Sequence, residues 1–303
     1  MPIRLFSSKN KTSSVFVGVS VCASHLHLVA IDISSGSAVI NAVDTRDFNV
    51  NTPLEQQLTT ILESVEGTCN VSVVLSQEMY HMVQVTKPEV PEDDIASALP
   101  WTLGDLVPYE AANMVVDYVD YPVKSRTGET KIDVFASEKA PLAALSASFV
   151  KQKDKRLTHI HTKEVLVAEM APEDDYARLL IVQEPNSEPF LMIVRSGAIW
   201  LARRLRGFVK KFNEMADMSQ VSDTLGLEIQ RSMDFYESQL KQPPLKEILF
   251  KTQFDCEPVI ERLKPFQPAA MSVFNSHLDL SDVVESTCHF ALASALVASR
   301  EVQ

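Results

Sequence analysis

The chain has 303 residues, 46% of them hydrophobic, enough for two domains with cores of their own. Its formal charge of −12 leaves no basic surplus to release counterions from a phosphate backbone, which argues against nucleic acid as a partner. No window approaches the roughly 20 apolar residues that cross a bilayer, and the start, Met1-Pro-Ile-Arg-Leu-Phe-Ser-Ser-Lys9, lacks the apolar core of a signal peptide. A cytosolic protein with no membrane span of its own is expected. Cys22, Cys69, Cys256 and Cys288 show no C-x-x-C or Cys/His ligand spacing, so reduced structural thiols are the expectation.

After a polar start come three β-type runs at 15–21, 26–33 and 38–44, separated by turn residues. A helical pattern opens at Thr52-Pro53 and runs through Leu54, Leu58, Ile61, Leu62 and Val65 to Gly67. A β-rich run follows at 71–75, completing the opening half of an RNase H-type α/β unit. The stretch 78–137 reads as a small inserted α+β subdomain: strands at 79–86, 114–121 and 131–137, and a helix from Pro91 through Ile95, Leu99 and Leu103. Glu92, Asp93 and Asp94 complement the dipole of that helix, while Pro100 is expected to kink or break it.

A helix at 139–150 leads into a basic linker at 151–156, read as a solvated face or hinge, then a short strand at 158–161 and a helix at 163–170. Pro172-Glu-Asp-Asp175 marks the expected boundary between an N-terminal domain, 1–170, and a C-terminal domain, 171–303. The opening theme then repeats, with strands at 176–182, 190–195 and 198–205. Helices at 208–218 and 222–240 follow, then a strand at 248–252, a helix at 257–263, a strand at 270–274 and a last helix at 282–299. Within 227–240, Ile229, Met233, Tyr236 and Leu240 make one apolar helical face, and Glu228, Arg231 and Asp234 a charged one.

Eight glycines are too few and too scattered for a phosphate-wrapping loop, which needs several close together so that the backbone can approach the ligand. There is no G-x-G-x-x-G, no G-x-x-x-x-G-K and no Gly-Gly pair. His159 and His161 share one side of a strand and could share a metal, but no third ligand is near in sequence. Asp93-Asp94 and Asp174-Asp175 are explained by a helix first turn and a linker without catalysis, and no G-x-S-x-G elbow supports a hydrolase. Trp101, Tyr109, Tyr118 and Tyr121 enrich the inserted segment in aromatics, either as core or as walls of a peptide groove.

The string Glu228-Ile-Gln-Arg-Ser-Met-Asp-Phe-Tyr236 resembles the E-I-x-R-S-x-D-F-Y helix of the PilM-like proteins of type IV pilus assembly. Further matches run along residues 15–299: Val17-Gly-Val-Ser-Val-Cys-Ala-Ser-His-Leu-His27, Leu99-Pro-Trp-Thr-Leu103, Leu106-Val-Pro-Tyr-Glu110 and Met114-Val-Val-Asp-Tyr118. The resemblance implies an α/β, two-domain actin-like ATPase fold, a duplicated RNase H-like unit with the inserted subdomain. It also implies capture of the N-terminal tail of a PilN-like membrane protein in a groove beside that subdomain, with Tyr80, Trp101, Tyr109 and Tyr118 as candidate contacts. A pilus assembly ATPase or platform complex is the further partner implied, with localisation to the cytosolic side of the inner membrane through partners.

The departures fall on the nucleotide chemistry. Where the family's first phosphate loop has Asp, Gly and Lys, this chain has Ser20, Cys22 and His27. Ile181-Val-Gln-Glu-Pro-Asn186 replaces the second loop, Arg206-Gly207 a Gly-Gly turn, and Phe250-Lys-Thr-Gln-Phe-Asp-Cys256 the adenosine loop. Magnesium triphosphate needs carboxylate oxygens and open backbone amides, so a degenerate site, no cofactor and a non-catalytic scaffold are expected. The alternatives are an actin-like protein that binds or weakly hydrolyses ATP with magnesium, and the cytosolic domain of a type II secretion platform. The missing membrane helix before Gln303 counts against the second.

Overall fold

The computed structural model describes residues 13–125, 128–172, 174–209, 218–252, 255–276 and 284–301. The chain forms two compact units, one comprising Met1–Leu166 with Leu278–Gln303 and the other Val167–His277.

In the first unit, β1 (Val15–Val21) and β2 (His25–Asp32) are buried along nearly their whole length, as strands covered on both faces must be. β3 (Val39–Asp47) alternates exposed and half-buried residues, as an edge strand with one open face does. After helix α1 (Leu54–Leu62), β4 (Cys69–Val74) pairs parallel with β1. The inserted subdomain then contributes β5 (Tyr80–Thr86), α2 (Glu92–Leu103), β6 (Met114–Asp120) and β7 (Lys131–Glu138). These three strands make a separate antiparallel sheet in the order β5-β7-β6. Ile95, Leu99 and Leu103 of α2 pack on Ile132, Val134 and Ala136 to form its core. Helix α3 (Lys139–Val150), β8 (Lys155–His161) and helix α4 (Lys163–Met170) follow, and β8 closes the main sheet as β3-β2-β1-β4-β8.

The second unit repeats the plan. β9 (Arg178–Val182), β10 (Phe190–Arg195) and β11 (Ala198–Arg204) are antiparallel neighbours, and β12 (Glu247–Lys251) and β13 (Ala270–Val273) extend the sheet in parallel as β11-β10-β9-β12-β13. The hairpin between β10 and β11 turns at Ser196-Gly197, both with positive φ, the conformation that a two-residue hairpin turn requires. The helix Met218–Asp234 buries Ile229 and Met233, and a π-helical turn, Phe235–Gln239, carries it on to the buried Tyr236.

Three expectations change, and a fourth falls mostly outside the described residues. The helix α2 runs through Pro100 to Leu103 without a break. The basic linker is partly strand: Lys155 begins β8 and is buried, its Nζ donating to the carbonyls of Val65 (2.6 Å) and Gly67 (2.8 Å), which replaces the water that a solvated lysine would have. The expected helix at 208–218 lies mostly outside the described residues, and the last helix, expected from 282, begins at His289 after a 3-10 turn at Ser286–Cys288. That last helix, His289–Arg300, does not belong with the C-terminal unit but packs across β1, β2 and β4 of the first. A division at 170/171 cuts through this arrangement, because the chain returns to the first sheet.

Gly18 makes the return possible. A Cβ there would overlap the Ala291 carbonyl oxygen and Ser294 Oγ of the terminal helix. The helix sits on β1 backbone to backbone, and relief would require moving one of them. Gly18→Ala should therefore cost at least the ~1–3 kcal/mol typical of overpacked cores, read as a lowered midpoint in urea denaturation. An unchanged midpoint would mean that the helix is free to shift.

Candidate functional site

Ser20, Cys22 and His27 stand around the β1–β2 hairpin, and the sheet register pairs Ser20 with His27. All three are sealed in, at 0%, 0% and 3% exposure. Ser20 Oγ lies 4.0 Å from Cys22 Sγ, and His27 Nδ1 lies 3.0 Å from Thr45 Oγ1 and 3.9 Å from Cys288 Sγ just before the terminal helix. Burial, with the nearby His25 and Lys163, pushes the His27 imidazole down to about 4, so it is neutral at physiological pH. A neutral imidazole and two hydroxyl- or thiol-bearing side chains beneath the surface are poor ligands for a metal-bound phosphate.

In the second unit, the strand and turn expected at a second phosphate loop hold Gln183 and Glu184, both buried. Glu188, just before β10, does something that sequence reading missed. Its Oε1 accepts from the backbone N–H of Gly207 (2.7 Å), and its Oε2 accepts from those of Phe208 (2.9 Å) and Val209 (3.0 Å). Successive backbone N–H groups make a ready anion site. Here the anion is a side chain of the protein itself.

The inserted subdomain offers a different kind of site. β6 is the outer strand of its sheet, with β7 on one side only. Along β6 lies an apolar cavity of about 50 Å³, lined by Leu75, Tyr80, residues 115–119, Phe135, Leu142, residues 160–162 and Val165. That volume holds a small side chain or a few waters, far from the roughly 300 Å³ or more of a pocket for a whole small ligand. Its wall carries buried polar atoms with no partner among the described residues: His161 Nε2 and Thr162 Oγ1. Burial next to His159 pushes the His161 imidazole down to about 3, so it stays neutral. An unpaired polar atom in an apolar wall costs free energy that an incoming donor or acceptor recovers.

The four aromatic candidates separate. Tyr80 lines the cavity but is buried, its hydroxyl donating to Glu164 Oε2 (2.5 Å), so it shapes the wall rather than presenting a free contact surface. Tyr118 also lines it, donating to Glu92 Oε1 (2.9 Å) with Lys87 over its ring. Tyr109 packs on the subdomain core with its hydroxyl 3.2 Å from His81 Nδ1. Trp101 is 75% exposed on α2 and is not part of the cavity wall. Asp117, Phe135 and Thr162 went unrecognised as site residues, and His161 was weighed only as a metal ligand with His159; the available signal for Asp117 was the alternation Val115-Asp117-Val119, which sets a carboxylate between valines on one strand face.

The other constellations resolve as structure. Asp174 is held by both Nη atoms of Arg178 (2.6 and 2.8 Å), and Asp175 by Nε and Nη2 of Arg195 (2.9 and 3.0 Å). Each guanidinium holds its carboxyl below the usual range. His159 and His161 stack at 5.5 Å, and His159 Nε2 lies 3.1 Å from Glu301 Oε2. Among the described residues no group of three or more His, Cys, Asp or Glu side chains could hold a metal, and no helix is long and apolar enough to cross a membrane.

No family model and no curated protein matches the chain. Solved structures do. A chain of a PilM–PilN type IV pilus biogenesis complex is 16% identical, with a TM-score of 0.65 over 94% of this chain and 98% of that one. The cytoplasmic domain of EpsL, an inner-membrane component of the type II secretion system of Vibrio cholerae, is 15% identical, with a TM-score of 0.53 over 93% and 96%. A Bacteroides thetaiotaomicron protein of unknown function with an actin-like ATPase fold is 10% identical, with a TM-score of 0.54 over 91% and 97%. The fold is therefore the two-domain actin-like one, and its two units are the duplicated α/β plan described above.

Removing the internal anion tests the second unit directly. Glu188→Ala strands three backbone N–H groups and should lower stability by about 1–3 kcal/mol, whereas Glu188→Gln, which keeps one acceptor oxygen, should lose less. Equal midpoints for all three proteins in urea would show that the carboxylate contributes nothing.

Proposed function

We propose that the chain is a non-catalytic actin-like scaffold of type IV pilus assembly, which binds the N-terminal tail of a PilN-like inner-membrane protein in the groove along β6. The observation that carries this reading is the groove: an outer strand beside an apolar cavity with unpartnered polar atoms in its wall. An extended peptide fits such a place by adding a strand to the sheet edge and setting alternate side chains into the cavity. Sealed Ser20, Cys22 and His27, and an N–H nest filled by Glu188, support the absence of nucleotide chemistry. The likeness to a chain of the PilM–PilN complex supports the partner, and the order of motif matches along the chain supports an MSHA-type pilus system, with this chain as its MshI-like member. Through the partner the protein works at the cytosolic face of the inner membrane, where it couples a pilus assembly ATPase or platform to the membrane complex.

The likeness to the EpsL cytoplasmic domain favours a second reading, a type II secretion platform component built on the same fold. The partner retained decides between them. Calorimetry with a synthetic N-terminal segment of the PilN-like protein should give binding on the order of micromolar, weakened about tenfold or more by Val115→Trp, which fills the groove. Absence of binding removes the pilus reading. Magnesium with ATP or ADP at millimolar concentration should leave the melting temperature unchanged, because a ligand that binds the native state must raise it. A saturating rise would instead favour an ATP-binding protein.

A further inference from the structure

The groove is apolar apart from a few polar groups, and two carboxylates stand on the sheet face beside it. The register of β6 and β7 pairs Asp117 with Phe135 and Val119 with Asp133. Paired residues, and residues two apart on a strand, stand on the same face of a sheet. Asp117 and Asp133 are thus diagonal neighbours, roughly 7 Å apart by sheet geometry, with Val119 and Phe135 beside them. Their face is the one turned away from α2, whose core side takes Ile132 and Val134.

Neither carboxylate has a cation in direct contact among the described residues, although Lys131 lies close enough to Asp133 to draw its carboxyl down a little. Asp117 lines the cavity, and its Oδ1 accepts from the backbone N–H of Tyr118 (2.9 Å). Asp133 is deeper, at 4% exposure, and its Oδ1 accepts from Gln84 Nε2 (3.0 Å). The nearby Lys131 spends its ammonium on Gln84 Oε1 at 3.4 Å. Neither Asp117 nor Asp133 takes part in an ion pair among the described residues. Burial raises both carboxyls, Asp133 to about 6. At neutral pH the face therefore keeps negative charge in an apolar setting, a costly state that a cation from outside relieves.

Resting on the peptide-binding reading of the groove, we propose that its occupant is an extended segment carrying an arginine or lysine between apolar residues, with Asp117 as the direct acceptor and Asp133 adding to the attraction from behind. The apolar neighbours enter the cavity while the cation meets the carboxylate. A guanidinium fits better than an ammonium, since its planar fork can bond one carboxylate and still face the other. The net charge of −12 draws a basic segment in the same sense.

The test is a selection of phage-displayed random nonapeptides on the immobilised full-length protein, repeated on Asp117→Asn and Val115→Trp. Enriched peptides should share a basic residue with apolar residues two positions to either side, and should lose binding to Val115→Trp. On Asp117→Asn the apolar positions should persist while the preference for a basic residue falls about tenfold, as loss of a charge-assisted bond implies. Groove-dependent apolar peptides with no basic residue, or an undiminished basic preference on Asp117→Asn, overturn this inference and leave the peptide groove standing. No groove-dependent enrichment overturns both.

A second measurement reads the charge itself. A raised carboxyl holds its proton more tightly folded than unfolded, so stability falls as pH rises from the ordinary value of about 4 toward 6 and is level above that. Asp133→Asn keeps the oxygen that Gln84 bonds and removes the charge. It should melt higher than the natural protein at pH 7, with the difference gone below about pH 4. A lower melting temperature at pH 7 would show that the carboxylate is satisfied from within and overturn the inference.

Discussion

At Gly18 the backbone of β1 and the helix His289–Arg300 approach so closely that no Cβ fits between them, and the burial of the adjoining hairpin follows from that contact. The helix crosses β1, β2 and β4, and its residues Phe290–Ser299 are all buried. With Cys288 anchored near His27 at its entry, the side chains of Ser20, Cys22 and His27 are sealed beneath the surface. These three side chains therefore face the protein and not solvent. The chemistry of those three side chains is consistent with this: none carries a formal charge at neutral pH, so each tolerates burial at modest cost.

The second unit reaches a similar end by another route. The three N–H groups at Gly207, Phe208 and Val209 keep the geometry that holds an anion, yet Glu188 supplies the oxygens from within the unit. A tethered carboxylate needs no association entropy and is always at hand. An anion-holding turn is thus filled internally in the second unit, and three uncharged polar side chains are buried in the first. Along the groove beside β6, His161 Nε2, Thr162 Oγ1 and the carboxylate of Asp117 lie in or on an apolar wall without full satisfaction, and His27 Nε2 in the β1–β2 hairpin is likewise without a partner among the described residues. Unsatisfied buried groups call for a water, an ion or another molecule to complete the bonding, and the groove along β6 has an open strand edge beside them.

Most of the fold was legible because it rests on local periodicity. The run Val15–Val21, the helix Lys139–Val150 and the strand Phe190–Arg195 all declare themselves through burial patterns that a sequence carries openly. The Gly18 approach could not be read, since it joins residues 18 and 291 and depends on where the chain returns. Lys155 looked solvated because its charge is visible and its acceptors, the carbonyls of Val65 and Gly67, are far away in sequence. The same limit applies to the site. Departures at Ser20, Cys22 and His27 show as substitutions against a family pattern, whereas the groove needs β6, β7, β8 and α4 assembled before His161 and Asp117 can be seen beside one space. Aromatic content pointed to the subdomain that carries the β6 cavity but to a mixed set of residues, because it does not distinguish a wall such as Tyr80 from an exposed ring such as Trp101.

In the proposed function the protein acts through the edge of β6 and not through nucleotide. Backbone hydrogen exchange tests it most directly, measured on the full chain alone, with the tail-bearing PilN-like protein, and with magnesium ATP. Slowed exchange confined to Met114–Asp120 and its surroundings in the presence of the partner, with the β1–β2 hairpin and β9–β10 turn unchanged by ATP, is the expected result. Unchanged exchange in β6 with the partner, together with slowing at the two turns in ATP, would contradict it.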